Sequence, residues 1–139
     1  MAPTIEEAQV LAGEELRTID VTRIEEAVAR EHERCGVDFS VYVGPLAEGR
    51  GSALALHSQF GANAPLAVLV AVDPGSRATE IVTGAKARRW VDDRACALAT
   101  LSMVSSLSAG DLIGGICHGL TTLGDQARHP SALHTDLPE

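Results

Sequence analysis

The residues best suited to chemistry in this sequence are aspartates at helix starts: the tandem pair Asp92-Asp93, and Asp111 in the pair Gly110-Asp111. An aspartate at a helix N-terminus accepts hydrogen bonds from unpaired backbone amides and meets the positive end of the helix dipole. In a tandem pair one carboxylate can do that work while the other is left over. If Asp111 approached them, three carboxylates would repel one another unless a cation or an arginine lay between. Arg88, Arg89 and Arg94 stand close by in the chain, so a divalent-ion site and a metal-free salt-bridge cluster both remain open. In the metal-dependent form the carboxylates would hold the ion and Arg88 or Arg89 would bind an anion such as phosphate.

Nucleophilic alternatives find little support. A cysteine phosphatase needs an arginine at the close of its phosphate loop, and the positions that follow Cys35, Cys96 and Cys117 at that spacing hold Val41, Ser102 and Leu123. A DxD motif, a histidine-phosphatase signature and a Walker loop are missing. His32, His57, His118, His129 and His134 are scattered, and His118 beside Cys117 reads as a surface or satisfied residue. The three cysteines show no metal spacing and read as thiols of a reducing compartment.

Those residues must be positioned by a scaffold that the apolar pattern outlines. Thr22-Arg23-Ile24-Glu25 fits a capping box, and the helix it opens ends at Gly36. Val37 to Val43 alternates as a strand with one better-buried face. Ser52 can cap a short helix to Phe60. Leu66 to Val72 is continuously apolar, as expected of a central strand covered on both faces. Asp73-Pro74-Gly75-Ser76 is a turn in which Gly75 is expected to take the positive torsion, and Ala78 to Thr83 returns as the second arm of a hairpin. A long helix then runs from Asp92 or Asp93 to about Ser108, with Leu98, Leu101, Val104 and Leu107 inward. The last helix runs from Asp111 to about Ala127, with Ile113, Ile116, Leu120 and Leu123 inward. Gly115 and Gly119 sit four apart in it and suit a close packing face in a soluble protein.

Strands interleaved with helices predict an α/β domain, a three-layer α/β/α sandwich around a small mixed sheet. Residues 1–20 read as an irregular or partly helical lead-in, 21–127 as a single domain and 128–139 as a disordered tail. The chain has 139 residues, 45% hydrophobic but only 3% aromatic, so its core is aliphatic and closely packed. A net charge of -8 argues against nucleic acid or anionic membranes as partners, and leaves an unknown protein as the expected one. Lys86, Arg88, Arg89 and Arg94 are a local positive feature on this acidic background. With no leader-like start and no run long enough to span a bilayer, the chain reads as soluble and cytoplasmic.

The order of elements and four short motifs resemble the TPM domain. This domain occurs in thylakoid-lumen acid-phosphatase-like proteins of photosystem II repair and in bacterial envelope proteins; the nearest likeness is to an actinobacterial branch of unknown function. The motifs are Cys35-Gly36-Val37-Asp38-Phe39-Ser40-Val41-Tyr42-Val43, the hairpin through Asp73, Thr83-Gly84 with Val91-Asp92-Asp93, and Gly110-Asp111. The resemblance spans roughly residues 24–128. It implies calcium held by acidic loops at one end of the sheet, the matching positions being Asp73, Asp92, Asp93 and Asp111. It also implies, as the alternative, a weak metal-dependent acid phosphatase, for which the residues themselves offer Arg88 or Arg89 to the anion. The expected function is a non-catalytic binding or interaction module rather than an enzyme.

Overall fold

Every residue of the strand Ala67–Asp73 is buried, and the rest of the fold is arranged around that strand. The structure is a computed structural model, and it describes residues 10–12 and 16–128. In chain order the regular elements are β1 (Val10–Ala12), α1 (Thr18–Cys35), β2 (Asp38–Val43), α2 (Arg50–Ser58), β3 (Ala67–Asp73), β4 (Ala78–Thr83), α3 (Asp93–Ser108) and α4 (Leu112–Arg128). Short 3-10 segments at Gly61–Leu66 and Ala87–Arg89 lead into β3 and α3.

The sheet has the order β1-β2-β3-β4. β1 and β3 are parallel to β2, with Val10 opposite Val41 and Val41 opposite Val70, while β4 returns antiparallel to β3 with Ile81 opposite Val70. Alternation in the strands then divides the core. Phe39, Val41, Val43, Val68, Val70, Val72 and Ile81 face α1, α3 and α4. Leu69, Ala71 and Val82 face the other way, against α2 and Phe60. Helices thus cover both faces of a mixed sheet, the three-layer sandwich that the sequence predicts.

Four local expectations are corrected. The lead-in, expected to be irregular or partly helical, supplies a strand, β1, besides the first turn of α1. That helix starts a turn before the Thr22 capping box: its N-cap is Arg17, whose guanidinium pairs with Asp20, and Leu16 and Val21 pack on the core. Apolar burial therefore extends the helix past its strongest capping signal. In the β3–β4 turn the positive torsion falls on Arg77 (φ 60°), not Gly75, because Asp73 Oδ1 accepts from the Gly75 and Ser76 amides and tightens the first bend itself. The fourth concerns α3. It turns Ala95, Ala99 and Met103 inward with Leu107 partly buried, and leaves Leu101 69% and Val104 46% exposed. The tail from His129 lies outside the described residues.

The reason for the α3 orientation is the glycine face of α4. A Cβ on Gly119 would stand 2.5 Å from the Met103 Sδ, and one on Gly115 would stand 3.2 Å from a Leu107 methyl. With such close approach, α3 must present small side chains and one flexible Met rather than a leucine stripe. The α1–α4 contact works the same way. Gly124 leaves room for the fully buried Glu31 carboxylate, which accepts from Arg34 at 2.6 Å, and Arg34 also pairs with Asp125.

Candidate functional site

The chain runs from the β3–β4 turn up β4 to Thr83, and only then into the segment that opens α3. Asp73 consequently lies at one end of the sheet, and Asp92 and Asp93 lie at the other. Asp111 follows the far end of α3, a helix of 16 residues or roughly 24 Å. The four aspartates therefore do not form one constellation, and the expectation that they converge is corrected.

Each aspartate has a local role instead. Asp73 is buried; its Oδ2 accepts from the Leu46 amide (2.9 Å) and its Oδ1 from Gly75 (3.0 Å). Hydrogen bonds from the Leu46 amide foremost, then from Ser76, hold its carboxyl below the usual range. Asp92 Oδ1 caps α3 through the Ala95 amide (2.9 Å), and Asp111 Oδ1 caps α4 through the Gly114 amide (2.9 Å). Asp93, well exposed, pairs with Arg88 at 3.2 Å. Among the described residues no three His, Cys, Asp or Glu side chains are grouped to hold a metal ion. Calcium takes six to eight oxygens, and carboxylates separated in this way do not make that cage.

The two predicted arginines also part company. Arg89 lies over the Trp90 ring, its Cζ 5.7 Å from the centroid. Arg88 turns to a polar cavity of about 220 Å³ along the outer side of β4. Arg50, Thr79, Thr83, Asp93, Cys96 and Thr100 share that cavity with it.

The floor of this cavity is set by hydrogen-bond parity. Gly84 N donates to Ala67 O (2.9 Å), so Gly84, Val82, Glu80 and Ala78 direct their backbone groups at β3. Thr79, Ile81 and Thr83 must then direct theirs outward. Arg50 agrees, its Nη1 donating to Ile81 O (3.2 Å) while also reaching Glu80 Oε1 (3.2 Å). No described strand lies beyond β4. On the α3 side, Thr83 Oγ1 and Cys96 Sγ are 3.3 Å apart, and burial pushes the Cys96 thiol up from its ordinary value.

The sequence reading missed Arg50, Thr79, Thr83, Cys96 and Thr100 as a group. The alternation in Ala78–Thr83 could have singled out Thr79 and Thr83. Arg50 carries no local signal, since it meets β4 only after the chain has folded back.

Two of the histidines within the described residues have local contacts. His57 is buried with its Nε2 3.0 Å from Ala67 O and its ring edge-on to Phe60, and exposed His118 lies 3.2 Å from Ser106 Oγ. None of the three cysteines is in a disulfide.

Residues 4–124 match the family described as "Domain of unknown function (DUF5130)". The chain belongs to this family. Two curated relatives, the uncharacterized proteins Rv2468c and MT2543 of two Mycobacterium tuberculosis strains, are each 29% identical over 107 residues. That alignment covers 75% of this DUF5130 chain but 62% of each relative, so the chain spans under two thirds of the curated relatives' length.

Among solved structures, the N-terminal domain of cg2496 from Corynebacterium glutamicum superposes with a TM-score of 0.71 at 18% identity, covering 94% of this chain and 87% of that one. An N-terminal domain of a P. gingivalis protein gives 0.70 at 13% identity, covering 91% and 92%. At such identities the likeness concerns the fold. Among the described residues no helix is long and apolar enough to cross a membrane.

Proposed function

We propose that this DUF5130 domain is a non-catalytic binding module and that the polar cavity beside β4 is its ligand site, recognising an anionic group. One observation carries the reading: Arg50 and Arg88, from different elements, line a single cavity along the outer edge of the sheet. Each already pairs with a carboxylate, Glu80 or Asp93. These are solvent-exposed pairs, worth about 0–1 kcal/mol, so an incoming carboxylate can replace them at little cost. Guanidinium groups suit that exchange because they bind carboxylates with two parallel donors.

Catalysis finds no carrier at this site. The thiol nearest the arginines, Cys96, is held toward its protonated form by burial, the reverse of what a nucleophile requires. Calcium is not part of this reading, because Asp92 and Asp93 lie at the opposite end of the sheet from Asp73 and a helix length from Asp111, and no three such ligands are grouped among the described residues. The TPM kinship read from the motifs belongs to the proposal too, supported by the order of helices, strands and hairpin.

The test is an amide NMR titration with N-acetylglutamate into the millimolar range. Saturable shifts are expected at Thr79, Thr83, Cys96 and Thr100, and both Arg50→Ala and Arg88→Ala should abolish them. An absence of saturable shifts, or shifts that survive both substitutions, overturns the reading.

A further inference from the structure

The helix α3 has two faces, and packing against α4 accounts for one of them. Ala95, Ala99 and Met103 are held on the glycine side of α4. The opposite side presents Arg94, Ala97, Leu101, Val104 and Ser108 at alternating steps of three and four, and all five are exposed. That spacing is the seam by which one helix packs along another. Leu101 is the most exposed large apolar side chain among the described residues, and Val104 beside it is about half exposed.

Surface helices normally turn charge to water. α1 does so, with Arg23, Glu25, Glu26, Arg30 and Glu33 exposed along it. On α3 every position from Ala95 to Ala109 is uncharged, in a chain of net charge -8. The apolar surface also continues sideways from the seam. Val104 lines a cavity of about 350 Å³ whose other apolar walls include Val72, Pro74, Leu107 and Leu112.

Register and charge select the occupant. α3 runs from Asp93 to Ser108, so Leu101 stands at its middle. A two-fold axis through Leu101 lays a second α3 antiparallel on the first, with Leu101 against Leu101 of the other copy and Ala97 across from Val104, small against large. The same axis sets Arg94 beside Ser108 of the other copy, at the negative end of that helix dipole, with exposed Asp111 just beyond. None of the ion pairs among the described residues uses Arg94. A parallel pairing would instead put Arg94 against Arg94. Because the face itself is uncharged, two acidic chains can meet there with few like charges in contact, and their net charges are screened beyond about 8 Å at physiological salt.

We infer that the outer face of α3 is a self-association surface, on which a second copy of this chain docks its own α3 antiparallel about Leu101. The face measures roughly 24 Å by 10 Å. That is well under the roughly 800 Å² a side of a standard interface, so the dimer is a weak one that forms at high chain concentration. This surface is independent of the anion site.

The test is sedimentation equilibrium of the whole chain from the micromolar into the millimolar range. The mean mass should rise from 14.5 kDa toward twice that value. Leu101→Glu and Leu101→Lys should each weaken association at least about tenfold, because each brings like charges together at the axis. An equimolar mixture of the two variants should associate again, since only there do opposite charges meet. Leu54→Glu, which alters an exposed leucine on α2, should leave association unchanged. Direction is read from a second pair of mixtures. Ala97→Glu with Val104→Lys should associate more tightly than Ala97→Glu with Ala97→Lys, and the reverse order would overturn the antiparallel pairing.

Leu101 is exposed, so its charged variants should keep the amide NMR pattern of the folded chain. A chain that stays monomeric at millimolar concentration overturns the inference and returns the face to a different partner. So does a dimer that Leu101→Glu leaves intact, or one that mixing the Glu and Lys variants fails to restore. None of these results bears on whether N-acetylglutamate meets Arg50 and Arg88.

Discussion

Gly84, which links β4 to the segment before α3, offers the sharpest test of the packing. Its φ is not in the left-handed region, so any residue could adopt its backbone. What excludes a side chain is space. A Cβ there would stand 2.5 Å from the carbonyl carbon and oxygen of Pro65 and would overlap the Ala64 carbonyl oxygen. All three are main-chain atoms, so no rotamer change relieves the clash. Backbone movement would also disturb Lys86 N to Pro65 O and Gly84 N to Ala67 O, both 2.9 Å.

Overpacking typically costs about 1–3 kcal/mol, and a backbone clash belongs at the upper end. The reduced freedom of the unfolded chain returns about 0.4–1 kcal/mol. Gly84→Ala should therefore destabilise by about 2–3 kcal/mol, a fall of roughly 6–12 °C in Tm for a domain of this size. Urea unfolding would show a lower midpoint with an unchanged slope. Gly36→Ala is the control: φ is +79° with open space around it, so its cost is conformational only, about 1 kcal/mol. Should Gly84→Ala prove no more destabilising than Gly36→Ala, the close approach of these two segments is wrong.

Three further outcomes can be measured. Gly124→Ala should destabilise despite a gain of about 1 kcal/mol in helix propensity, because its Cβ would overlap Glu31 Oε1, which Arg34 holds in place. In a double-mutant cycle with Glu31→Ala the two effects should be strongly non-additive, and additivity would refute the contact. Asp73 has a depressed carboxyl in the folded state, so its stabilisation is present above the ordinary carboxylate range near pH ~4 and is lost as pH falls through the lower folded value. Asp73→Asn should thus lower the urea midpoint at pH 7, and that deficit should shrink in acid; a pH-independent deficit would count against this cause. The Cys96 thiol, raised chiefly by burial, should react with iodoacetamide more slowly than a free cysteine at pH 8. Its pH–rate midpoint should lie above that of the unfolded chain, and an equal midpoint would show slow access rather than a shifted thiol.

The main elements were legible where local pattern and tertiary need coincide. Residues 67–72 of the apolar run 66–72 could be satisfied only by burial on both faces and are buried in β3, while Leu66 ends the preceding 3-10 segment and stays 48% exposed. Gly36 closes α1 in the left-handed region with its N–H on His32 O, and Ile113, Ile116, Leu120 and Leu123 are buried along α4. Asp92 and Asp111 were readable as helix caps because a cap is made within one turn of chain. Patterns failed where a distant neighbour decided. Leu101 and Val104 have helical spacing, but glycines in α4 select the Ala95, Ala99 and Met103 side of α3. Thr22 can cap a helix, but core contacts of Leu16 and Val21 begin α1 earlier.

The candidate site divides along the same line. Its charges, its tandem aspartates and the alternation of β4 are properties of the sequence alone. Which carboxylates could meet was a matter of chain path: α3 holds Asp93 and Asp111 a helix length apart, whatever their chemical affinity for one ion. Arg50 and Arg88, 38 positions apart in sequence, line one cavity only because β4 stands at the edge of the sheet with α2 on one side and α3 on the other. Local interactions select helices, strands and caps, but long-range burial chooses which faces touch, and that choice determines where a ligand could bind.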